Sequence, residues 1–214
     1  MNIEGHLKES DDVLLWVHAN LDGLKISKLP DDKRTQLASA CWHVAVEHAQ
    51  AIVVLVHERL YGSASTMIRP LFEAFVRGLW LLHAASDDEV DRAGRDQFQR
   101  DFGKMIAELE KPGRLPVGML SGLKGRTWSR LCSFTHTGYQ QIGARLTTEG
   151  LGYDYQDSEI LEALRWADMI ALWSVAAFAN LADNQPLVRP VLDRLRSPAS
   201  VDEADSADPS TQKP

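Results

Sequence analysis

Apolar residues recur every three to four positions along most of the chain, a spacing that predicts helices rather than strands. One amphipathic helix is predicted over residues 3–22. A long second helix is predicted to follow Pro30, with Asp31 or Asp32 as its N-cap, and to end at about Leu60. Because apolar residues cover two sides of this second helix, we expect it to lie between neighbouring helices at the centre of a bundle.

The remaining apolar stretches predict further helices, separated by segments rich in glycine and proline. A third helix is predicted to follow a break at residues 61–63, and Pro70 either begins its regular part or kinks it. The others are predicted over residues 87–110, 126–146 and 157–183, with a short one after Pro186 or Pro190, an internal loop over 111–125 and a linker over 147–156. The predicted fold class is therefore all-α, an antiparallel helical bundle of about five to seven helices.

The predicted domain organisation is a single helical-bundle domain over residues 1–196, with its core at about residues 31–183. From Ser197 the composition changes to Ser, Ala, Asp and Pro with one isolated Val. Such a segment cannot bury enough apolar surface to offset the entropy lost on ordering. Residues 197–214 are therefore expected to form a disordered tail.

Three charged residues interrupt the apolar third helix at four-residue spacing: Arg69, Glu73 and Arg77. This spacing places them on one line of the helix, where the glutamate can pair with either arginine. Two interpretations stay open. The line is either a solvent-facing stripe of weak ion pairs or a network buried in a cleft between helices.

A second polar strip lies on the long second helix and contains His43 and Glu47, four residues apart. Because the rest of that helix is apolar, both side chains are candidates to face the same polar seam as the Arg69 line. A histidine satisfied by a neighbouring carboxylate is the structural interpretation, and a proton-transfer group is the functional one.

The predicted helix over residues 126–146 carries the residues best suited to chemistry: Arg130, Ser133 and His136. Arg130 and His136 are about 120° and roughly 9 Å apart on a straight helix, with Ser133 between them. One polar face could therefore present a guanidinium, a hydroxyl and an imidazole to a phosphate. Arginine suits the phosphate oxygens, and histidine suits proton transfer near neutral pH.

Five residues separate Arg130 from His136. In an all-helical chain, an arginine and a histidine at this spacing resemble the motif of HEPN proteins (higher eukaryotes and prokaryotes nucleotide-binding). The run SASTMIRPLFEAFVRGLWLL also resembles a segment of bacterial HEPN-like proteins of unknown function, and the similarity covers about residues 35–182. It implies a four- to five-helix bundle that often dimerises. In nuclease members, Arg and His from two subunits form a composite, metal-independent RNA-cleaving site, whereas other members are inactive or bind nucleotides or partners. Arg77 and His83 match the same spacing.

Composition narrows the function classes. The formal net charge of −7 argues against a broad, non-specific nucleic-acid surface, which needs clustered cations, but it allows a local basic cleft. The two cysteines, Cys41 and Cys132, are expected to be free thiols in a reducing cytoplasm. No ligand spacing predicts a metal site, and neither a metal nor another cofactor is expected.

No membrane association is expected either. Residues 1–12 are polar and acidic, which does not fit a secretory signal. The best candidate span is the apolar run of the third helix, and Arg69, Glu73 and Arg77 interrupt it.

Two functional hypotheses remain. The first is a ribonuclease of a toxin or phage-defence type, in which Arg130 holds phosphate, His136 acts as acid or base and Ser133 orients the ligand. The alternative is a non-catalytic module that binds a nucleotide or a protein partner, with purely structural polar residues. A homodimer is expected in both cases. The two differ in whether Arg130 and His136 share a cleft that solvent reaches.

Overall fold

The computed structural model describes residues 2–24 and 32–195 and confirms the all-α fold class. Within these ranges the helices are α1 (Ile3–Gly23), α2 (Lys33–His57), α3 (Tyr61–His83), α4 (Asp87–Ala93), α5 (Phe102–Leu109), α6 (Met119–Thr135), α7 (Tyr139–Gly143), α8 (Asp157–Leu181) and α9 (Gln185–Leu195). A single antiparallel pair, β1 (Leu146–Thr147) and β2 (Gly150–Leu151), lies between α7 and α8. The tail predicted over 197–214 lies outside the described residues.

Helix α2 is central, as its two apolar sides predicted, and packs against α1, α3, α4 and α8. Asp32 caps its N-terminus by accepting a hydrogen bond from the Thr35 amide at 2.9 Å. By length and composition α2, and not α3, is the helix that could cross a membrane. This is weak evidence, because buried core helices have the same properties and ten α2 residues are buried.

Helices α2 and α3 approach closely at Gly78. A Cβ atom added there would lie 2.4 Å from Trp42 Nε1 and 2.9 Å from the Ala38 carbonyl oxygen. The Trp42 ring also meets Phe178 of α8 edge-on, with ring centroids 5.4 Å apart. These contacts hold the three longest core helices together around one fully buried indole.

The predicted helix over 87–110 is wrong as a single element, because the structure divides it into α4 and α5. Gly94 caps the C-terminus of α4, and Asp96 adopts a left-handed conformation with φ 56°. Asp101 then starts α5 by accepting a hydrogen bond from the Lys104 amide at 2.9 Å. A second capping residue inside the predicted span therefore restarts the helix in a new direction.

The loop predicted over 111–125 is also too long, because α6 begins at Met119. Gly118, with φ 87°, is its N-cap, and Gly122 and Gly125 lie inside the helix. The side chain of Glu110 accepts hydrogen bonds from the Leu120 and Ser121 amides at 2.7 and 2.8 Å. This cap comes from ten residues away, so the local sequence does not reveal it.

The predicted helix over 126–146 ends at Thr135, eleven residues early. Thr137 has φ 53°, which stops α6 and turns the chain into the short α7.

The predicted linker 147–156 contains most of the β1–β2 hairpin, whose strands are too short to be recognised from the sequence. Pro70 lies inside α3 and does not begin it, and α9 starts one residue before Pro186. Gln156 caps the N-terminus of α8.

Candidate functional site

The middle of α3 provides one ion pair of the expected charged line. Arg69 Nε donates to Glu73 Oε1 at 2.8 Å, and the two side chains are only 21% and 28% exposed. Arg77 does not join them. Its guanidinium lies over the Phe98 ring, 4.5 Å from the centroid, and its Nε atom is buried with no hydrogen-bond partner in the described structure. The line is therefore a partly buried pair with a separate arginine.

His136 lies beside this pair at the C-terminal cap of α6. Its exposed imidazole is 2.7 Å from Arg69, measured between His136 Nε2 and Arg69 Nη1. Arginine can only donate, so Nε2 must be the acceptor, which assigns a neutral imidazole with its hydrogen on Nδ1. Arg69 thus joins Glu73 within α3 to His136 on α6.

Trp128 and Lys124 of α6 complete the surroundings of Arg69. The Arg69 guanidinium lies 4.8 Å from the centroid of the Trp128 ring, and Lys124 Nζ lies 5.4 Å from it. Phe102 of α5 stacks on the same indole, with centroids 4.6 Å apart and an interplanar angle of 15°. We call Arg69, Glu73, Lys124, Trp128 and His136 the Arg69 cluster. It carries two cations against one carboxylate, so it is locally positive in an acidic protein.

A tight turn between α6 and α7 fixes the position of His136. The His136 amide donates to the Cys132 carbonyl at 3.0 Å, and the Gly138 amide donates to the Ser133 carbonyl at 2.6 Å. The Ser133 hydroxyl accepts a hydrogen bond from the Gln140 amide at 3.1 Å. Ser133 therefore secures the start of α7, which is a structural task, and has no described contact with the Arg69 cluster.

Arg130 points to a different helix. Its Nη2 donates to Glu162 Oε2, and its Nη1 lies 4.0 Å from Glu159 Oε1, both on α8. The common face expected for Arg130, Ser133 and His136 is therefore not formed. The physical reason is that the two positions are about 120° apart around α6 even on a straight helix, so Arg130 reaches α8 while His136 reaches α3.

His43 and Glu47 are both exposed and lie outside the Arg69 cluster. The opposite side of α2, which contains Trp42, Ala45 and Val46, packs into the core. That packing turns the polar strip outward, so the expected seam shared with Arg69 is not present at these two positions.

Sequence reasoning missed Lys124 and Trp128 as members of the site. Their four-residue spacing predicts neighbours on one helical line, but Lys124 lies in the loop predicted over 111–125, so the sequence does not place the two on one helix. The contact between Arg69 and His136 joins residues 67 positions apart. Only the packing of α6 on α3 brings them together.

Comparison with known proteins gives the family but no activity. Residues 42–197 match the model of a family of unknown function, DUF6988. The chain belongs to DUF6988. The matched range contains every residue of the Arg69 cluster and leaves α1 and the start of α2 outside. No curated protein and no solved structure matches the chain.

The described residues contain no group of three or more His, Cys, Asp or Glu side chains placed to hold a metal ion. The Arg69 cluster instead offers a ligand three kinds of group: hydrogen-bond donors that suit an anion, an imidazole, and an aromatic ring. The imidazole and the indole both lie within contact distance of the Arg69 guanidinium, on a surface that solvent reaches at His136.

Proposed function

We propose that the chain is a HEPN-like ribonuclease that works without a metal, and that Arg69, rather than Arg130, is the phosphate-holding partner of His136. The observation that carries this proposal is the 2.7 Å contact between Arg69 Nη1 and His136 Nε2 at an exposed surface. It supplies a fixed cation next to a titratable base, the pair that phosphodiester cleavage needs.

The proposed reaction uses the RNA 2′-hydroxyl as nucleophile. A phosphate draws the Arg69 guanidinium to its own oxygens, which frees His136 Nε2 to take the 2′-hydroxyl proton. The 2′-oxygen then bonds to phosphorus, the P–O5′ bond breaks, and the departing 5′-oxygen takes a proton. Arg69 offsets the negative charge that builds up on the phosphate oxygens in the transition state.

Lys124 and Trp128 suit the rest of a single-stranded RNA ligand. A lysine ammonium attracts a neighbouring phosphate. The Trp128 indole helps to hold both cations in place, because Arg69 and Lys124 lie over its ring. Phe102 is stacked on the same indole and holds the ring in place. This arrangement favours binding that depends on charge rather than on one base sequence.

A homodimer belongs to this proposal, because the single His136 of one chain cannot both accept and donate a proton in the same step. In the dimer, the protonated imidazole of His136 of the partner subunit supplies the proton that the 5′-oxygen takes. Tyr139 and Ile142 of α7, which follows His136 in the chain, are 79% and 48% exposed, which leaves apolar surface near the site for a partner copy to cover.

A non-catalytic module that binds nucleotides or a protein partner is the second candidate. The observation that favours it is the saturation of the cationic groups: Arg130 pairs with Glu162, and Arg69 is held by Glu73 and His136. In this case RNA or nucleotide would bind at the Arg69 cluster without being cleaved.

Cleavage of a labelled single-stranded RNA in EDTA separates the two candidates. The parent protein should cleave, and His136→Ala should lose at least about 100-fold in rate, because general-base catalysis contributes on that order. His83→Ala, at the matching Arg-x5-His spacing, should cleave at the parent rate. Binding without cleavage would support the module, and sedimentation of the same samples would show whether they are dimers.

A further inference from the structure

A cavity of 880 Å³ lies between α1, α8 and α9, away from the Arg69 cluster. Its size is within the range of small-molecule sites, roughly 300–1,000 Å³. The wall is mainly apolar and includes two half-buried indoles, Trp16 of α1 and Trp173 of α8. An interior of this kind is suited to an organic ligand with an aromatic or aliphatic body.

The apolar wall contains one carboxyl group whose hydrogen bonding is incomplete. Asp168 Oδ2 accepts a hydrogen bond from the hydroxyl of the fully buried Ser10 at 2.9 Å. Asp168 Oδ1 is buried and has no hydrogen-bond partner among the described residues. Native structures rarely leave such an atom unpaired, so the missing partner calls for an explanation.

No cation in the part of the chain that the structure describes supplies that partner. Arg165 is one helical turn before Asp168 and also lines the cavity, but the two form no ion pair, and Arg165 Nε is itself buried without a partner. Arg194 is used elsewhere, because its guanidinium lies over the Trp16 ring, 4.6 Å from the centroid. The Asp168 carboxyl is therefore left for a group that enters from outside.

The charges around the cavity favour a cation as that group. Four carboxyl groups line it, those of Glu9, Asp12, Asp168 and Asp193, against two guanidinium groups. An ammonium ion near Asp168 gains a charge-assisted hydrogen bond in a low-dielectric site, and the indole faces also attract cations. A carboxylate ligand would have to approach the larger number of like charges.

We propose that this cavity binds a small organic amine, an ammonium group on an apolar body, with the ammonium at Asp168 and the body between Trp16 and Trp173. The site is independent of the proposed nuclease activity. It also depends on α1, which lies outside the part of the chain that matches the family model. The family match therefore does not cover the whole wall of the cavity.

Calorimetric titration of the full-length protein with three matched probes tests the proposal, at pH 8, where the Asp168 carboxyl, with its pKa raised to about 7, is ionised. The probes are 2-phenylethylamine, the neutral 2-phenylethanol and the anionic 3-phenylpropionate, which share the ring and differ in the polar end. The amine should bind one to one and at least about tenfold more tightly than the other two, the factor expected for one charge-assisted hydrogen bond. Equal or tighter binding of the anion would overturn the proposal without any variant.

Asp168→Asn should weaken binding of the amine by at least about tenfold, because the amide keeps the shape and removes the charge. Asp183→Asn is the matched control. It removes the same charge just beyond the C-terminus of α8 at an exposed residue outside the cavity, and it should bind like the parent. Unchanged affinity in a folded Asp168→Asn protein, or no binding of the amine to the parent, would contradict the assignment.

Discussion

At the residue scale, Arg69 is the side chain on which the site depends. Its guanidinium hydrogen-bonds to Glu73 and His136 and lies over the ring of Trp128. With its side chain 21% exposed, it is too buried for water alone to satisfy its five donors. Its neighbours therefore contribute both to folding and to the position of the imidazole.

Replacing Glu73 should show how much of this arrangement is structural. Glu73→Ala leaves the half-buried guanidinium of Arg69 without its carboxylate, so we expect a loss of about 1–2 kcal/mol in the free energy of unfolding. Arg92→Ala is the control, since it breaks the i,i+4 pair with Asp88, in which the side chains are 51% and 79% exposed. It should cost less than about 0.5 kcal/mol. Coincident urea midpoints of the parent and Glu73→Ala would show that the pair adds nothing.

Asp168 makes stability depend on pH. Burial raises the pKa of its carboxyl to about 7, against the smaller opposing effect of the Ser10 hydrogen bond, and the nearby carboxylates of Glu9 and Asp11 raise it further. Between about pH 4 and pH 7 the folded protein holds a proton that the unfolded chain has released. The free energy of unfolding must therefore fall as the pH rises through this window.

Asp168→Asn should abolish this fall in the free energy of unfolding with rising pH. From pH 5 to pH 8, the free energy of unfolding of the variant should rise relative to the parent by roughly 2 kcal/mol. Urea denaturation at both pH values measures it. His6, Asp12, Arg165, Asp193 and Arg194 also line the cavity and are present in both proteins, so the difference isolates Asp168. An offset between the two proteins that does not change with pH would show that Asp168 is ionised throughout.

At the scale of elements, periodicity predicted the long helices and failed where a helix stops and restarts. The bounds of α1, α2 and α8 agree with the predictions within a few residues, because long apolar patterns leave little freedom. The breaks at Asp96 and Thr137 depend on non-glycine residues with positive φ, 56° and 53°. Aspartate tolerates this conformation without requiring it and threonine seldom adopts it, so neither residue type predicts a break.

Two glycines inside helices should respond to alanine in opposite directions. Gly78→Ala places a Cβ 2.9 Å from the Ala38 carbonyl oxygen and 2.4 Å from Trp42 Nε1, so the α2–α3 contact must open, at a cost of about 1–3 kcal/mol. Gly125→Ala in α6 meets nothing within 4 Å and should stabilise by up to about 1 kcal/mol. Thermal unfolding of the two variants measures both effects. A Gly78→Ala protein as stable as the parent would contradict the close approach.

At the scale of the whole molecule, the candidate site exists because α6 packs on α3. The sequence identified Arg69, Glu73 and His136 as polar residues of interest, but it paired His136 with Arg130 because both were expected on one helix. The structure ends α6 at Thr135 and turns Arg130 toward Glu162 of α8. Which side chains meet between two helices depends on how the helices pack, and no residue pattern in a single sequence shows that packing.

The most direct measurement compares the two arginines in single-turnover RNA cleavage. In the proposed site Arg69 holds the phosphate, so Arg69→Gln should lower the rate by about 100-fold or more, as removal of one charge-stabilising donor does. Arg130→Gln should keep the cleavage rate and lower the unfolding midpoint, because it only strands Glu162. Circular dichroism confirms that both variants are folded. Loss of cleavage in Arg130→Gln with an unchanged rate in Arg69→Gln would contradict the assignment of Arg69 as the partner of His136.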